Sequence, residues 1–168
     1  LSVIGTGYLG ATHAAAMSSL GFEVIGVDTD ENKIAQLNLG KVPFFEPDLE
    51  ELLTQELASG RLKFTTAVSD AADCDGHFIC VCTPQLKDSL AADLSYVNAS
   101  FHAVAKIAKA GSVIVGKSTV PVGTAERLSK ELQAVNNQVE LAWNPEFLRE
   151  GFAVEDTLRP NRLVVGVN

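Results

Sequence analysis

Long apolar runs are missing from this 168-residue chain. None reaches the roughly 20 residues that a membrane-crossing helix needs, so no membrane partner is expected. The opening Leu1-Ser2-Val3-Ile4 has no basic residues before it and reads as a strand rather than a leader. It starts without Met inside that strand, which suggests that a few native residues precede it. Basic residues are scarce: 13 Lys and Arg face 21 Asp and Glu, for a formal net charge of −8. No Lys/Arg cluster offsets the deficit, which argues against a nucleic-acid surface. An acidic chain that binds an anion must do so with local groups such as helix ends. Cysteine is also sparse. Cys74, Cys80 and Cys82 are an odd set with no zinc spacing. Cys80 and Cys82 alternate along an apparent strand and are expected on one face. We read all three as reduced packing residues of a cytoplasmic protein. His13, His77 and His102 share no spacing, so none is assigned a role and no metal site is expected. There is no internal repeat, linker or low-complexity segment.

What the chain does contain is a regular alternation. Its 46% hydrophobic content and its length suit one domain with a sizeable core. Apolar runs predict strands at residues 1–4, 23–28, 62–65, 77–81, 112–116, 139–143 and 162–167. Between them, helical patterns run over 11–20, from an Asp30 cap to about 39, over 48–59, briefly over 67–73, from Asp93 or Ser95 to 109, and from Pro121 to about 135. Gly40 and Gly60 mark two helix ends. Residues 144–160 read as irregular or partly helical. This order predicts an α/β, Rossmann-like, doubly wound and mainly parallel sheet with helices on both faces.

Gly5-Thr6-Gly7-Tyr8-Leu9-Gly10 falls where the first strand turns into the first helix, the context that a dinucleotide fingerprint requires. Gly5 permits the tight turn, Gly7 leaves no Cβ between backbone and pyrophosphate, and Gly10 lets helix and strand pack closely. The helix start offers free N–H groups and a positive dipole end to phosphates. Asp28 ends the second strand, where a carboxylate accepts bonds from ribose hydroxyls and repels a 2′-phosphate, favouring NAD. Lys33 is placed to reach the ribose or pyrophosphate, or else is a solvated helix residue. Two later strands end in hydroxyls, at Thr83 and at Ser118 and Thr119, on the sheet edge where ligands lie. Asn144-Pro145-Glu146-Phe147-Leu148-Arg149-Glu150-Gly151 follows the sixth strand at the same edge. Its two carboxylates and arginine suit acid–base work or a polar ligand, or equally a solvated first helical turn.

Together the glycine turn, Phe44-Phe45-Glu46-Pro47-Asp48-Leu49, Lys117-Ser118-Thr119-Val120-Pro121-Val122-Gly123-Thr124 and the run from Asn144 to Gly151 resemble the UDP-glucose/GDP-mannose dehydrogenase family along the whole chain. The ending Thr157-Leu158-Arg159-Pro160-Asn161-Arg162 looks most like its UDP-glucose 6-dehydrogenase branch, with Asn161 where an Asp is usual. The resemblance implies a cytoplasmic enzyme that oxidises the C6 alcohol of UDP-glucose to UDP-glucuronate with two NAD. The intermediates are an aldehyde, a cysteine thiohemiacetal and a thioester. The family's catalytic cysteine and helper lysine lie in a C-terminal half that this chain does not contain. Residues 1–168 would then be the NAD-binding domain, inactive alone. The central helix through which family members dimerise, and the C-terminal domain, lie elsewhere. The resemblance further implies cofactor contacts at Gly5, Thr6, Gly7, Tyr8, Leu9, Gly10, Asp28, Lys33, Thr83, Thr119 and Glu150. It implies catalytic roles for Thr119 and Glu146, and a sugar-nucleotide border along Glu146, Phe147, Leu148, Arg149 and Glu150. Cys82 departs from the small or polar residue expected before Thr-Pro. The alternatives are a GDP-mannose or UDP-N-acetyl-mannosamine dehydrogenase of the same family, or a non-catalytic dinucleotide sensor.

Overall fold

The structure, a computed structural model, describes residues 1–167. The elements are β1 (Ser2–Ile4), α1 (Tyr8–Ser19), β2 (Val24–Val27), α2 (Glu31–Asn38), α3 (Leu49–Ala58), β3 (Leu62–Thr65), a 3-10 turn (Val68–Ala71), β4 (Gly76–Ile79), α4 (Ser95–Ile107), β5 (Val113–Gly116), α5 (Thr124–Val135), β6 (Glu140–Trp143), α6 (Ala153–Leu158) and β7 (Gly166–Val167). The strands form one sheet in the order β3-β2-β1-β4-β5-β6-β7. All pairs are parallel except β6 with β7. The order reverses beside β1, between β2 and β4, so a crevice opens at the carboxyl ends of those strands.

Period-two alternation splits the core between the two faces. Val3, Val24, Leu62 and Phe64 pack under α1, α2 and α3 with Leu37, Leu49 and Leu53. Ile4, Val27, Ile79 and Ile114 pack under α4 and α5 with Phe101, Val104, Leu128 and Leu132. Helix α1 is pressed between the sheet and both α3 and α6. Its Ala11, Ala14, Ala15 and Ala16 are fully buried because only small side chains let backbones approach from two sides.

The predicted α/β fold is observed, with local corrections. Helix α1 begins at Tyr8 rather than residue 11, since the chain turns helical directly after Gly7. Pro121 does not open α5: Gly123, at φ 88°, turns the chain first and Thr124 starts the helix. The predicted strand over 162–167 shrinks to Gly166–Val167, an exposed antiparallel edge. Strand β4 ends at Ile79, before both cysteines, so Cys80 is buried and Cys82 exposed instead of sharing a face. Asp30 caps α2 as expected, accepting from the Lys33 N–H. Residue 94 is the cap position of α4, with Asp93 accepting from the Ser95 N–H beside it.

Candidate functional site

A cleft of about 860 Å³ runs across the carboxyl ends of β1, β2, β4 and β5. Its floor begins at the glycine turn. Gly5 has φ 87°, and a Cβ there would lie 2.7 Å from Val81 Cγ1. A Cβ on Gly10 would fall 1.8 Å from the Gly5 carbonyl oxygen, so helix and strand touch backbone to backbone. Gly7 is different. Its φ of −70° is open to any residue, and a Cβ there would meet nothing within 4 Å. The chain itself does not need glycine at this position, and the vacant space belongs to the cleft. Among the described residues no side chain caps the start of α1, and Gly7, Tyr8 and Leu9 at this start line the cleft. An uncapped helix start with a bare Cα is what a diphosphate requires. The residues present thus fit a dinucleotide.

Asp28 stands beside this turn. Its Oδ2 accepts from the Thr6 N–H (2.8 Å), the Thr6 hydroxyl (3.0 Å) and Lys33 Nζ (2.8 Å). Its Oδ1 accepts only the Asp30 N–H, at 3.1 Å, and so retains the acceptor capacity for a ribose hydroxyl. Burial pushes this carboxyl up, but the Lys33 bond and the Thr6 and Asp30 N–H groups outweigh it and hold it below its ordinary value. Thr6 is fully buried and braces Asp28 from behind. Lys33 spans between Asp28 and the cleft.

The far half of the cleft is lined by Thr83, Thr119, Cys82, Lys117 and Glu146. The Ser118 hydroxyl turns away and donates to the Val81 carbonyl at 2.6 Å, while Thr119 is exposed toward the cleft. Lys117 is 5% exposed. Its ammonium contacts Glu146 Oε2 at 2.8 Å and Asn144 Oδ1 at 2.9 Å.

Of the sequence-predicted residues, the structure brings Gly5, Gly7, Tyr8, Leu9, Asp28, Lys33, Thr83, Thr119 and Glu146 onto the cleft wall. Thr6 and Gly10 support it from within. Phe147, Leu148, Arg149 and Glu150 continue past it. Arg149, expected on the sugar-nucleotide border, is folded back on Asp156 in a bidentate pair at 3.0 and 2.7 Å and stacks over Phe152.

Two residues without an assigned role in the sequence reading stand out here. Lys117 is one. The other is Glu46, in the proline-broken connection before α3 and 5% exposed. It accepts from the Tyr8 hydroxyl, the Gly151 N–H (2.8 Å) and the Ala153 N–H (2.7 Å). Burial pushes the Glu46 carboxyl up, but these bonds and one from the Val154 N–H hold it below its ordinary value. Burial and the same carboxylate push the Tyr8 phenol up to about 12. Glu46 thereby ties the segment ending at Gly151 to the first residue of α1. Its local sequence gives no sign of these bonds, because Gly151 and Ala153 lie more than 100 residues away.

A glycine turn, an acid at the end of the second strand and a cleft at the switch point define a dinucleotide-binding domain. The chain belongs to the UDP-glucose/GDP-mannose dehydrogenase family, whose NAD-binding-domain model matches residues 1–168. It is 43% identical over its whole length to a UDP-glucose 6-dehydrogenase of Rhizobium meliloti and covers 39% of that protein. It superposes on a UDP-glucose dehydrogenase from Pyrobaculum islandicum with TM-score 0.89 and 40% identity, covering 99% of this chain and 40% of the other. On a ternary complex of GDP-mannose dehydrogenase from Pseudomonas aeruginosa the TM-score is 0.93 at 37% identity, again covering 99% and 40%. The chain therefore spans about two fifths of the length of these three relatives. Among the described residues no helix is long and apolar enough to cross a membrane, and no group of His, Cys, Asp and Glu is arranged to hold a metal.

Proposed function

We propose that this chain is the NAD-binding domain of a UDP-glucose 6-dehydrogenase, a cytoplasmic enzyme that oxidises the C6 alcohol of UDP-glucose to the carboxylate. The carrying observation is that Glu146 and the glycine turn share one cleft. These 168 residues would supply the cofactor half, and the remaining length of the protein the central helix, the dimer contact and the reacting cysteine and lysine. NAD, when bound, accepts the hydride from the C6 carbon, twice per sugar.

The chain's own residues divide the work. Gly5, Thr6, Gly7, Tyr8, Leu9 and Gly10 shape the pyrophosphate end, where the start of α1 offers its N–H groups. Asp28 and Lys33 take the adenosine ribose. Thr83, Thr119 and Glu150 bound the nicotinamide half, and Thr119 also orders the reacting oxygen or a water. Glu146 collects a proton at the far end of the cleft. Residues 146–150 border the sugar nucleotide, and Arg149 meets the diphosphate by exchanging Asp156 for it. The three free thiols suit a reducing compartment.

Turnover of the full-length protein tests this reading. UDP-glucose is expected to yield two NADH per sugar, with GDP-mannose and UDP-N-acetyl-mannosamine slow. Activity with GDP-mannose alone would move the protein to the other branch, and NAD binding without turnover of any sugar nucleotide would make it a sensor.

A further inference from the structure

We propose that Lys117 is a positioning residue for Glu146, aiming its carboxylate along the cleft. The inference rests on the acid–base reading of Glu146 and deepens it.

The two partners are held very differently. Lys117 follows β5, between β4 and β6, and its N–H donates to the Ile79 carbonyl at 2.9 Å. One residue back, Gly116 lies flat under Trp143: a Cβ there would come within 2.5 Å of the indole. One residue on, the Ser118 carbonyl accepts from Trp143 Nε1 at 3.1 Å. The lysine stem is thus anchored at both neighbours, and its side chain is 6% exposed. Glu146 lies in the segment between β6 and α6, outside regular structure. Its Oε1 accepts the adjacent Phe147 N–H at 2.6 Å, and its Oε2 meets Lys117. A buried ammonium requires an anionic or polar partner. Both of its partners, Asn144 and Glu146, come from this one irregular segment. A buried cation anchored behind β5 therefore holds one oxygen of a carboxylate that stands on irregular backbone.

The groups around the pair do not compete with it. From α1, His13 is pushed down to about 3, first by burial and then by the Lys117 charge. From the end of β4, Cys80 is pushed up to about 12 by burial. Between those limits both stay neutral, which leaves Glu146 and Lys117 as the charged pair. Removing the cation leaves Glu146 Oε2 and Asn144 Oδ1 without their shared partner, so the carboxylate loses its fixed direction along the cleft.

The test is kcat set against NAD affinity in the full-length enzyme. Lys117→Met is expected to lower kcat about tenfold or more. Affinity for NAD should stay within about twofold, since Asp28 and the glycine turn are untouched. Lys117→Arg keeps the cation and should recover most of the lost rate. If Lys117→Met fails to fold, the double variant Lys117→Met/Glu146→Gln removes both charges together, and it should be no slower than Glu146→Gln alone. Wild-type kcat in Lys117→Met, a Lys117→Arg variant as slow as Lys117→Met, or a double variant slower by the product of the single effects overturns the proposal. Wild-type turnover in Glu146→Gln instead overturns the acid–base reading beneath it.

Discussion

At the glycine end of the cleft the groups that face a ligand are main-chain atoms, whereas at the Glu146 end they are side chains held by residues distant in sequence. The N–H groups at the start of α1 are set by Gly5, Gly7 and Gly10, all within six residues. Glu146 is set by Lys117, and the segment ending at Gly151 by Glu46. The first end is part of the fold and exists once β1 and α1 pack. The second is tethered to the fold by a few charged hydrogen bonds across irregular backbone. Under the proposed function the contrast suits the tasks of the two ends: the diphosphate would be the same in every round, while the far end would have to admit a sugar and release an acid.

The largest effect expected from this contrast is on stability at the glycine end. Gly10→Ala puts a methyl 1.8 Å from the Gly5 carbonyl oxygen and 3.2 Å from Cys80 Cβ. Neither β1 nor α1 can yield without disturbing the core on that face. We expect a loss of at least about 3 kcal/mol, at or beyond the usual range for overpacking, read as a lower urea midpoint or as insoluble protein. Wild-type stability would mean that the turn is plastic, and the contrast between the two ends would collapse.

The same contrast explains what the sequence disclosed. The glycine spacing, the acid ending β2 and the hydroxyls ending β4 and β5 are local signals, and each sits on the cleft or directly behind it. The strand–helix alternation and the two-faced sheet followed from apolar periodicity alone. Glu46 was visible only as part of a motif, since nothing near it indicates bonds to Gly151 and Ala153. Lys117 stood beside the predicted hydroxyls, but only the pairing of β5 with β6 brings it to Glu146. The pairing of Arg149 with Asp156 was not legible either, because it depends on how the chain turns into α6. The short β7 was overestimated because an apolar run reads as a strand even where it lies exposed at an edge.

A second test loosens the tethered end alone. Glu46→Gln keeps the shape but leaves one oxygen to replace a carboxylate that serves Tyr8, Gly151 and Ala153. Stability should fall by about 2 kcal/mol, the cost of weakening buried charge-assisted bonds. Amide exchange should quicken across residues 147–153, with the start of α1 unchanged. There is also a pH signature. The Glu46 carboxyl is held below its ordinary value of 4.5, so its contribution is present above that value and is lost as pH falls through the lowered one. Glu46→Gln should lack this acid-side loss. Equal exchange at both ends of the cleft would show that the far segment is held by something other than Glu46.

The smallest effect on folding is expected at Gly7, and it separates the two functions of the glycine turn. Alanine fits the Gly7 backbone, meets no atom within 4 Å and removes no capping bond. Alanine is a poorer helix N-cap than glycine, so a cost of less than about 1 kcal/mol is expected. The added methyl nevertheless occupies the space between the α1 N–H groups and a bound diphosphate. Affinity for NAD, measured by calorimetry on the full-length protein, should fall at least about tenfold, or about 1.4 kcal/mol. Gly10 and Gly7 would then part cleanly, one needed by the fold and the other by the ligand. A Gly7→Ala variant that binds NAD as tightly as the wild type would show that the pyrophosphate does not approach the chain here, and the anchoring end would have to be sought elsewhere along the cleft.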